Sequence, residues 1–178
     1  LKIGKSTIQR WISKFMKELN QKTERMMPKF PQIMNMDEQV IKSKGKNVYC
    51  WNAIDKNTRF LMASHVTDGR GKKEAKQVLM QLRNNCVFPK TIVTDQLTSY
   101  RPAIKKVYRG KVNHIANPSI RNINTSNNVI ERYHNTFRER DKVIRGFKSN
   151  KTAQALIDAY RLYYNFIRVH QGLGMTPA

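Results

Sequence analysis

Apolar residues near the start of the chain recur at the spacing of one helix face. These positions are Ile8, Trp11, Ile12, Phe15 and Leu19. The segment Ser6-Thr7-Ile8-Gln9 has the form of a capping box, with Ser6 at the N-cap. The pattern therefore predicts an amphipathic helix that follows a turn at Gly4. Residues 20–30 then have the composition of a linker.

The polar face of this first helix is basic and carries Lys5, Arg10 and Lys14. A basic amphipathic helix after a glycine turn is typical of the recognition helix of a helix-turn-helix, which makes these three residues candidates for DNA binding. A plain surface helix that packs Trp11 into the core fits the pattern equally well. The sequence leaves both interpretations open.

Three strand-like stretches follow, over residues 32–42, 47–54 and 59–66. The turn signal Lys44-Gly45-Lys46 separates the first two, and a polar turn over residues 55–58 separates the second from the third. Consecutive strands joined by tight turns form an antiparallel meander, so we expect these three strands to pair in that way.

Helical and strand-like patterns then alternate to the end of the chain. Helices are predicted over residues 72–85, 97–108, 127–141 and 151–169, with strands over 91–95 and 112–116 and an exposed Asn-rich loop over 117–128. The last helix is expected to bury Leu156, Tyr160, Tyr163, Tyr164 and Ile167. Right-handed crossovers place the fourth and fifth strands parallel beside the meander. The predicted fold is α/β, with a mixed five-stranded sheet flanked by helices.

The charge of the chain changes what this fold is expected to bind. Among 178 residues, 34 are Lys or Arg and 12 are Asp or Glu, which gives a formal net charge of +22. Such an excess is the electrostatic pattern of a nucleic-acid-binding protein. No apolar run approaches the ~20 residues that span a bilayer, and no signal peptide opens the chain, so no membrane association is expected.

Small-molecule and metal motifs of other kinds are absent from the sequence. No phosphate-binding or dinucleotide-binding glycine motif occurs, so no nucleotide cofactor is expected. Cys50 and Cys86 lie far apart without metal-ligand spacing and are expected to be core residues of a cytosolic protein.

Three acidic residues stand where solvation does not explain them. Asp37 lies inside the apolar stretch 33–37, Asp95 ends the apolar run 91–95, and Glu131 follows Val129-Ile130 at the start of a helix. A carboxylate among apolar residues is costly unless it is paired or binds a metal ion. Each acid has a structural alternative, because either aspartate can cap a turn and Glu131 can pair with Arg132 or Arg138. Together, on so basic a chain, they indicate metal ions acting on DNA.

The predicted topology supports this interpretation of the acids. Asp37 falls in a central strand, and Asp95 falls at the carboxyl end of a parallel strand, where open α/β sheets form their sites. Glu131 shares a helix face with Asn127, His134, Asn135 and Arg138. This polar stripe can face either a cleft or solvent. Two divalent ions held by such carboxylates can activate the attacking oxygen of a phosphodiester displacement and stabilise the leaving oxygen.

The sequence resembles the DDE transposases and retroviral integrases, and in particular the insertion-sequence-six group of bacterial and archaeal transposases. The resemblance covers nearly the whole chain. Thirty-five residues separate Asp95 from Glu131, one more than is usual for the group. The similar segments are Met36-Asp37-Glu38, residues 49–55, Ile92-Val93-Thr94-Asp95, residues 128–134, Gly146-Phe147-Lys148-Ser149, Tyr163-Tyr164-Asn165-Phe166, and His170, Leu173, Thr176 and Pro177.

The resemblance implies a ribonuclease-H-like fold and Mg²⁺-dependent DNA cleavage and strand transfer at the ends of an insertion sequence. It implies that Asp37, Asp95 and Glu131 are the catalytic, metal-binding residues, with Mn²⁺ able to replace Mg²⁺. Arg138 corresponds to the basic residue seven positions after the family's glutamate, and Lys142 and Lys148 are expected to hold phosphates with it. It further implies a homo-oligomer on DNA, at the nucleoid in the cytoplasm of a bacterium or archaeon.

The expected organisation is a remnant of a helix-turn-helix region with its linker over residues 1–26, reduced to the last helix of that region, and a DDE catalytic domain over 27–178. Two other functions fit the same residues. One is a hydrolytic nuclease of the same fold that cuts without joining. The other is a non-catalytic DNA-binding remnant of a decayed element.

Overall fold

The computed structural model describes residues 3–116 and 126–178, without the side chains of Gln9, Ser13, Lys17 and Asn20. Five helices and five strands are formed by these residues. In chain order they are α1 (Lys5–Glu24), β1 (Ile33–Ser43), β2 (Lys46–Asp55), β3 (Leu61–Thr67), α2 (Lys72–Asn84), β4 (Thr91–Thr94), α3 (Tyr100–Tyr108), β5 (Asn113–Ala116), α4 (Asn128–Ile144) and α5 (Asn150–Phe166).

The strands form one mixed sheet in the order β3-β2-β1-β4-β5. Strands β1, β2 and β3 pair antiparallel, whereas β4 pairs parallel with β1 and β5 pairs parallel with β4. The predicted sheet, with three antiparallel strands followed by two parallel ones, is therefore confirmed. Strand β1 is central, as expected, and it continues to Ser43 while its partner β4 ends at Thr94.

Alternation along the strands divides the core between the two faces of the sheet. On β2, Trp51 and Ala53 join the apolar cluster under α2 and α3, whereas Cys50 and Ile54 join the cluster under α4 and α5. Successive strand residues point to opposite faces, so a strand covered on both sides is apolar at nearly every position. This explains why β2 is buried almost throughout.

The first helix differs from its prediction at both ends. It begins at Lys5 with Gly4 at the N-cap and no side-chain cap, and the Gly4 carbonyl accepts from the amides of Thr7 and Ile8 at 3.0 and 3.3 Å. Ser6 is therefore inside the first turn, and the predicted capping box is wrong. The helix also continues to Glu24 through residues predicted as linker. No glycine or proline lies between Gly4 and Pro28, so no helix-breaking residue ends the helix earlier.

The last helix buries a different set of side chains from the predicted one. Tyr164 is buried as expected, Leu156 and Tyr160 are partly buried, and Tyr163 and Ile167 are exposed. The buried side chains of α5 are Ala153, Ile157, Arg161, Tyr164 and Asn165. Polar side chains turn inward because α5 covers the edge strand β3, whose backbone groups need hydrogen-bond partners.

Two predictions about burial, for the cysteines and for the Asn-rich loop, were only partly correct. Cys50 is buried as predicted, but Cys86 is exposed, in a turn after α2 where its φ of 59° is in the left-handed region. In the predicted exposed loop, residues 117–125 lie outside the described residues, while Ser126 and Asn127 are buried. Asn35 holds both, because its side-chain amide donates to the Ser126 carbonyl at 3.0 Å and to Asn127 Oδ1 at 2.7 Å.

Within the described part of the chain, no helix combines the length and the apolar character that a membrane span requires.

Candidate active site

The pairing of β1 with β4 brings the two aspartates together. The parallel register pairs Asn35 with Val93, so two residues further along each chain place Asp37 beside Asp95. Carboxylate oxygens of Asp37, Glu38 and Asp95 all lie within 4.8 Å of one another. The site lies at the end of β4, beyond which β1 continues without a parallel neighbour.

Glu131 stands outside this close group of carboxylates. It is exposed on α4, and its charge is the smallest of the influences that raise the pKa of Asp37. The sequence predicted all three acids within bridging range of a metal ion. The structure places Glu38, and not Glu131, in contact range of the aspartates. The reason is that α4 is oriented by the inward packing of Ile130 and Tyr133, which turns Glu131 toward solvent.

Burial dominates the electrostatics of Asp37. Loss of hydration, followed by repulsion from Glu38, Asp95 and Glu131, raises the pKa of the Asp37 carboxyl group to about 7. One hydrogen bond opposes this shift, because the Glu38 amide donates to Asp37 Oδ1 at 2.9 Å. A bound cation would relieve the repulsion, and oxygen ligands of this kind suit Mg²⁺. The donor set therefore fits a hard divalent ion.

Glu38 is held by two groups that the sequence analysis did not identify. Its carboxylate contacts the Arg70 guanidinium and accepts a hydrogen bond from the Tyr100 hydroxyl at 2.7 Å. The Glu38 side chain is 1% exposed, so both partners offset the cost of burying it. Burial and then the charge of Glu38 raise the pKa of Tyr100 well above its ordinary value, so this hydroxyl stays a donor.

Arg70 also faces the second aspartate. Its Nη2 lies 3.7 Å from Asp95 Oδ2, while Asp95 Oδ1 accepts from the amide of Leu97 at 3.0 Å. The turn-capping role that the sequence left open for Asp95 is thus present, and it leaves the other carboxylate oxygen facing the site. A guanidinium between Glu38 and Asp95 lowers the negative charge of the metal-free site. For Glu38, the only signal in the sequence was its position directly after Asp37, at the end of an apolar stretch.

His134 also lies beside Asp37. It is buried on α4, and its Nδ1 lies 3.5 Å from Asp37 Oδ2. Burial, followed by the charge of Arg138, lowers the pKa of His134 to about 4. The imidazole is therefore neutral at physiological pH, and the contact is not an ion pair. The sequence placed His134 on the polar stripe of Glu131 but assigned it no role.

The predicted DNA-binding residues are all exposed. Arg138 lies on the same helix as Glu131, and Lys142 forms a surface ion pair with Glu139 at 2.8 Å. Lys148 lines an open cavity of about 820 Å³ between α1, α5 and the end of α4. Lys5, Arg10 and Lys14 are on α1, whose Trp11 is 45% exposed and not in the core.

Comparison with known proteins agrees with this geometry. Residues 32–170 match the family of DDE domains of IS240-type transposases. No curated protein matches the sequence. Among solved structures, the catalytic core domain of HTLV-2 integrase in complex with magnesium, in its trimeric form, is similar with a TM-score of 0.62 and 14% identity, over 83% of this chain and 93% of that chain.

Two further structures have the same fold. The catalytic core domain of BIV integrase is similar with a TM-score of 0.58 and 18% identity, over 83% of this chain and 91% of that chain. A simian T-cell lymphotropic virus intasome in complex with PP2A regulatory subunit B56 gamma is similar with a TM-score of 0.63 and 14% identity, over 84% of this chain. The chain spans about half of that intasome chain, of which 54% is covered.

The family match spans most of the chain, and the mixed sheet is that of the integrase catalytic cores, which have the ribonuclease-H-like fold. The protein thus belongs to the DDE-domain transposases, a family of polynucleotidyl transferases with an integrase-like catalytic core.

Proposed function

We propose that this domain cleaves DNA at the ends of an insertion sequence and joins the freed 3′-OH to target DNA. The convergence of Asp37 and Asp95 at the open end of β4, on a chain of net charge +22, is the observation that carries the proposal. Hydrolysis of one phosphodiester yields a 3′-OH and a 5′-phosphate. The 3′-OH then attacks a target phosphodiester, and the 3′ oxygen of the target strand leaves.

Asp37 and Asp95 are the proposed ligands of one shared Mg²⁺ or Mn²⁺ ion, and Glu131 is the proposed ligand of a second. When bound, such ions activate the attacking oxygen and stabilise the leaving one. Glu38 is already engaged by Arg70 and Tyr100, which favours a supporting role for it. Glu131 is exposed and, within the described residues, has neither of the ion pairs with Arg132 or Arg138 that the sequence left open. It is therefore free to turn toward a cation.

The proposed partners are the DNA of the element ends and of the target. Arg138, Lys142 and Lys148 are proposed to hold phosphates along α4 and the turn after it, because phosphate contacts fix the position of a protein on DNA. Lys5, Arg10 and Lys14 give α1 a second basic surface, consistent with residues 1–26 being part of a DNA-binding region. We also propose a homo-oligomer on DNA at the bacterial or archaeal nucleoid, in line with the dimeric and trimeric forms of the HTLV-2 core.

The test uses a labelled duplex that carries the element end, incubated with the chain and Mg²⁺ or Mn²⁺. Cleavage gives a labelled strand shorter than the substrate, whereas strand transfer gives labelled products longer than it. Asp95→Asn should lower both products by at least about two orders of magnitude, because a neutral amide cannot replace a charged ligand. DNA binding by this variant should persist, because the change removes a negative charge from a protein that binds a polyanion.

Matched variants test whether Glu131 or Glu38 is the third metal-binding acid. Glu131→Gln should abolish both products, whereas Glu38→Gln should weaken them less, and Glu18→Gln, at a surface ion pair on α1, should leave them unchanged. Short products without long ones would favour the hydrolytic nuclease. If the parent chain gives neither product with either metal but binds DNA, the non-catalytic remnant is favoured.

A further inference from the structure

A row of polar side chains crosses the sheet beneath α4 and ends at Asp37. Asp37 on β1 is paired with Asn52 on β2, and Asn52 is paired with Ser64 on β3. Directly paired residues of antiparallel strands point to the same face. Asn52 is fully buried and Ser64 is buried, although the surrounding cluster is apolar. His134 of α4 lies above the row and touches both Asp37 and Asn52.

The contacts of Asn52 fix which way its amide points. Asn52 Nδ2 lies 3.1 Å from the backbone carbonyl of Cys50, and a carbonyl oxygen can only accept a hydrogen bond. On its other side, Asn52 Oδ1 accepts from the Ser64 hydroxyl at 2.8 Å. The nitrogen of this amide must therefore be the atom that faces His134 Nε2, at 3.0 Å.

This orientation selects one tautomer of His134. The amide nitrogen of Asn52 can only donate, so His134 Nε2 must accept, and the proton of the neutral ring lies on Nδ1. Nδ1 is the ring nitrogen beside Asp37, because it lies 3.5 Å from Asp37 Oδ2. The other tautomer would place a lone pair against the carboxylate and two donors against each other. The row thus places a protonated ring nitrogen, and not a lone pair, beside Asp37.

Asp37 is consequently approached by one N–H group at each oxygen. The Glu38 amide donates to Oδ1 at 2.9 Å, and His134 faces Oδ2. A distance of 3.5 Å is long for a hydrogen bond, as is common for catalytic contacts in the absence of bound substrate. A carboxylate oxygen has more than one lone pair, so each oxygen of Asp37 can still accept a cation, and the carboxylates of Asp37 and Asp95 have oxygens within 4.8 Å of each other.

We propose that His134 is a positioning residue, which Asn52 and Ser64 hold in the Nδ1–H tautomer so that it orients the Asp37 carboxylate toward a divalent cation. This inference rests on the proposed function in taking Asp37 as a metal ligand. Partners that orient a metal ligand typically change metal affinity by about 10- to 100-fold when they are removed. The expected role is therefore in metal binding, without contact with the DNA.

The tautomer is measured first, in the unmodified, metal-free chain. Nitrogen-15 NMR of the side chains distinguishes a protonated ring nitrogen from an unprotonated one, and His134→Asn identifies the signals of His134 among the four histidines. We expect a protonated Nδ1 and an unprotonated Nε2. A proton on Nε2 would overturn the proposal.

Metal affinity is measured next, by the electron paramagnetic resonance signal of free Mn²⁺ during titration. His134→Ala should weaken Mn²⁺ binding by about 10- to 100-fold. His134→Asn should recover part of this loss, because its amide nitrogen lies near the position of Nδ1. His65→Ala is the control, since His65 follows Ser64 on β3 and points to the opposite face of the sheet.

A double-mutant cycle separates positioning from general damage to the core. Asn52→Ala should weaken Mn²⁺ binding in the parent chain but have no further effect in the His134→Ala chain, because it acts through His134. Equal effects in both backgrounds would overturn the proposal. If His134→Ala fails to fold, His134→Asn and the tautomer still decide. Neither readout needs DNA, so loss of the proposed strand transfer would not be mistaken for failure of this inference.

Discussion

The burial of a single carboxyl group, that of Asp37, makes the stability of the metal-free protein depend on pH. The pKa of Asp37 is about 7 in the folded chain, against an ordinary value of 3.8. Below about pH 4 the group is protonated in both states. Between pH 4 and 7 the unfolded chain loses this proton while the folded chain keeps it, so stability is lost as pH rises through this window.

Asp37→Asn should therefore stabilise the metal-free protein at neutral pH and not at pH 4. The expected gain near pH 7 is on the order of 2–4 kcal/mol, since one unit of pKa corresponds to about 1.4 kcal/mol. Urea unfolding of parent and variant at both pH values measures it, with Glu18→Gln as the surface control. Mg²⁺ should raise the stability of the parent and not of the variant. A gain as large at pH 4 as at pH 7 would contradict this account of Asp37.

The site shows what residue-level patterns can and cannot predict. Asp37 and Asp95 were predictable, because Asp37 interrupts one apolar strand, Asp95 directly follows another, and the topology brings those strands together. The roles of Arg70 and Tyr100 were not, because both come from other parts of the chain and meet Glu38 only in the folded structure. The position of Glu131 depended on the rotation of α4, which a helical period alone does not define.

At the scale of elements, α5 protects the edge strand β3 with side-chain amides. Asn165 Oδ1 accepts from the Leu61 amide at 2.8 Å, and Asn165 Nδ2 donates to the Leu61 carbonyl at 3.0 Å. Gln154 pairs in the same way with the Val66 amide at 2.8 Å and the Ser64 carbonyl at 2.9 Å. These side chains occupy backbone groups that would otherwise be open to another strand.

Asn165→Leu should therefore destabilise the fold although it adds apolar volume. It leaves the amide and carbonyl of Leu61 buried without partners, which costs about 1–3 kcal/mol for each group. Urea unfolding measures the loss, and faster hydrogen exchange of the Leu61 amide locates it. Asn84→Leu, at the exposed end of α2, is the matched control and should change neither. An unchanged Leu61 exchange rate would contradict the protective role of α5.

The order of the strands could be predicted from the sequence, whereas the buried side chains of α5 and the length of α1 could not. Strand order followed from turn signals and right-handed crossovers, which are local or nearly universal rules. The prediction for α5 was wrong for Tyr163 and Ile167 and missed Arg161 and Asn165, because it placed only apolar and tyrosine side chains on the buried face. An edge strand reverses this preference, since its backbone needs polar partners that only the folded structure brings near. The extent of α1 was missed because polar residues without Gly or Pro were interpreted as a linker.

At the scale of the whole molecule, the distribution of charge decides where DNA can lie. The formal charge of +22 would attract DNA to any face, so net charge alone does not locate the binding surface. The active-site carboxylates and α4 lie together, because His134 of α4 contacts Asp37. Helix α2 packs on the opposite face of the sheet from α4. A DNA strand that reaches Asp37 is therefore expected to run along α4 and not along α2.

The salt dependence of DNA binding tests this placement directly. Each phosphate neutralised adds about 0.9 to the slope of log affinity against log salt concentration, because counterions are released from the DNA. Arg138→Ala on α4 should lower that slope by about 1 and weaken binding to all sequences alike. Lys73→Ala on α2 removes the same charge from the other face and should leave the slope unchanged. Fluorescence anisotropy with a labelled duplex at a series of salt concentrations measures both. Equal losses of slope for the two variants would show that DNA binds without preference for the face of α4, and would remove the phosphate-holding role proposed for Arg138.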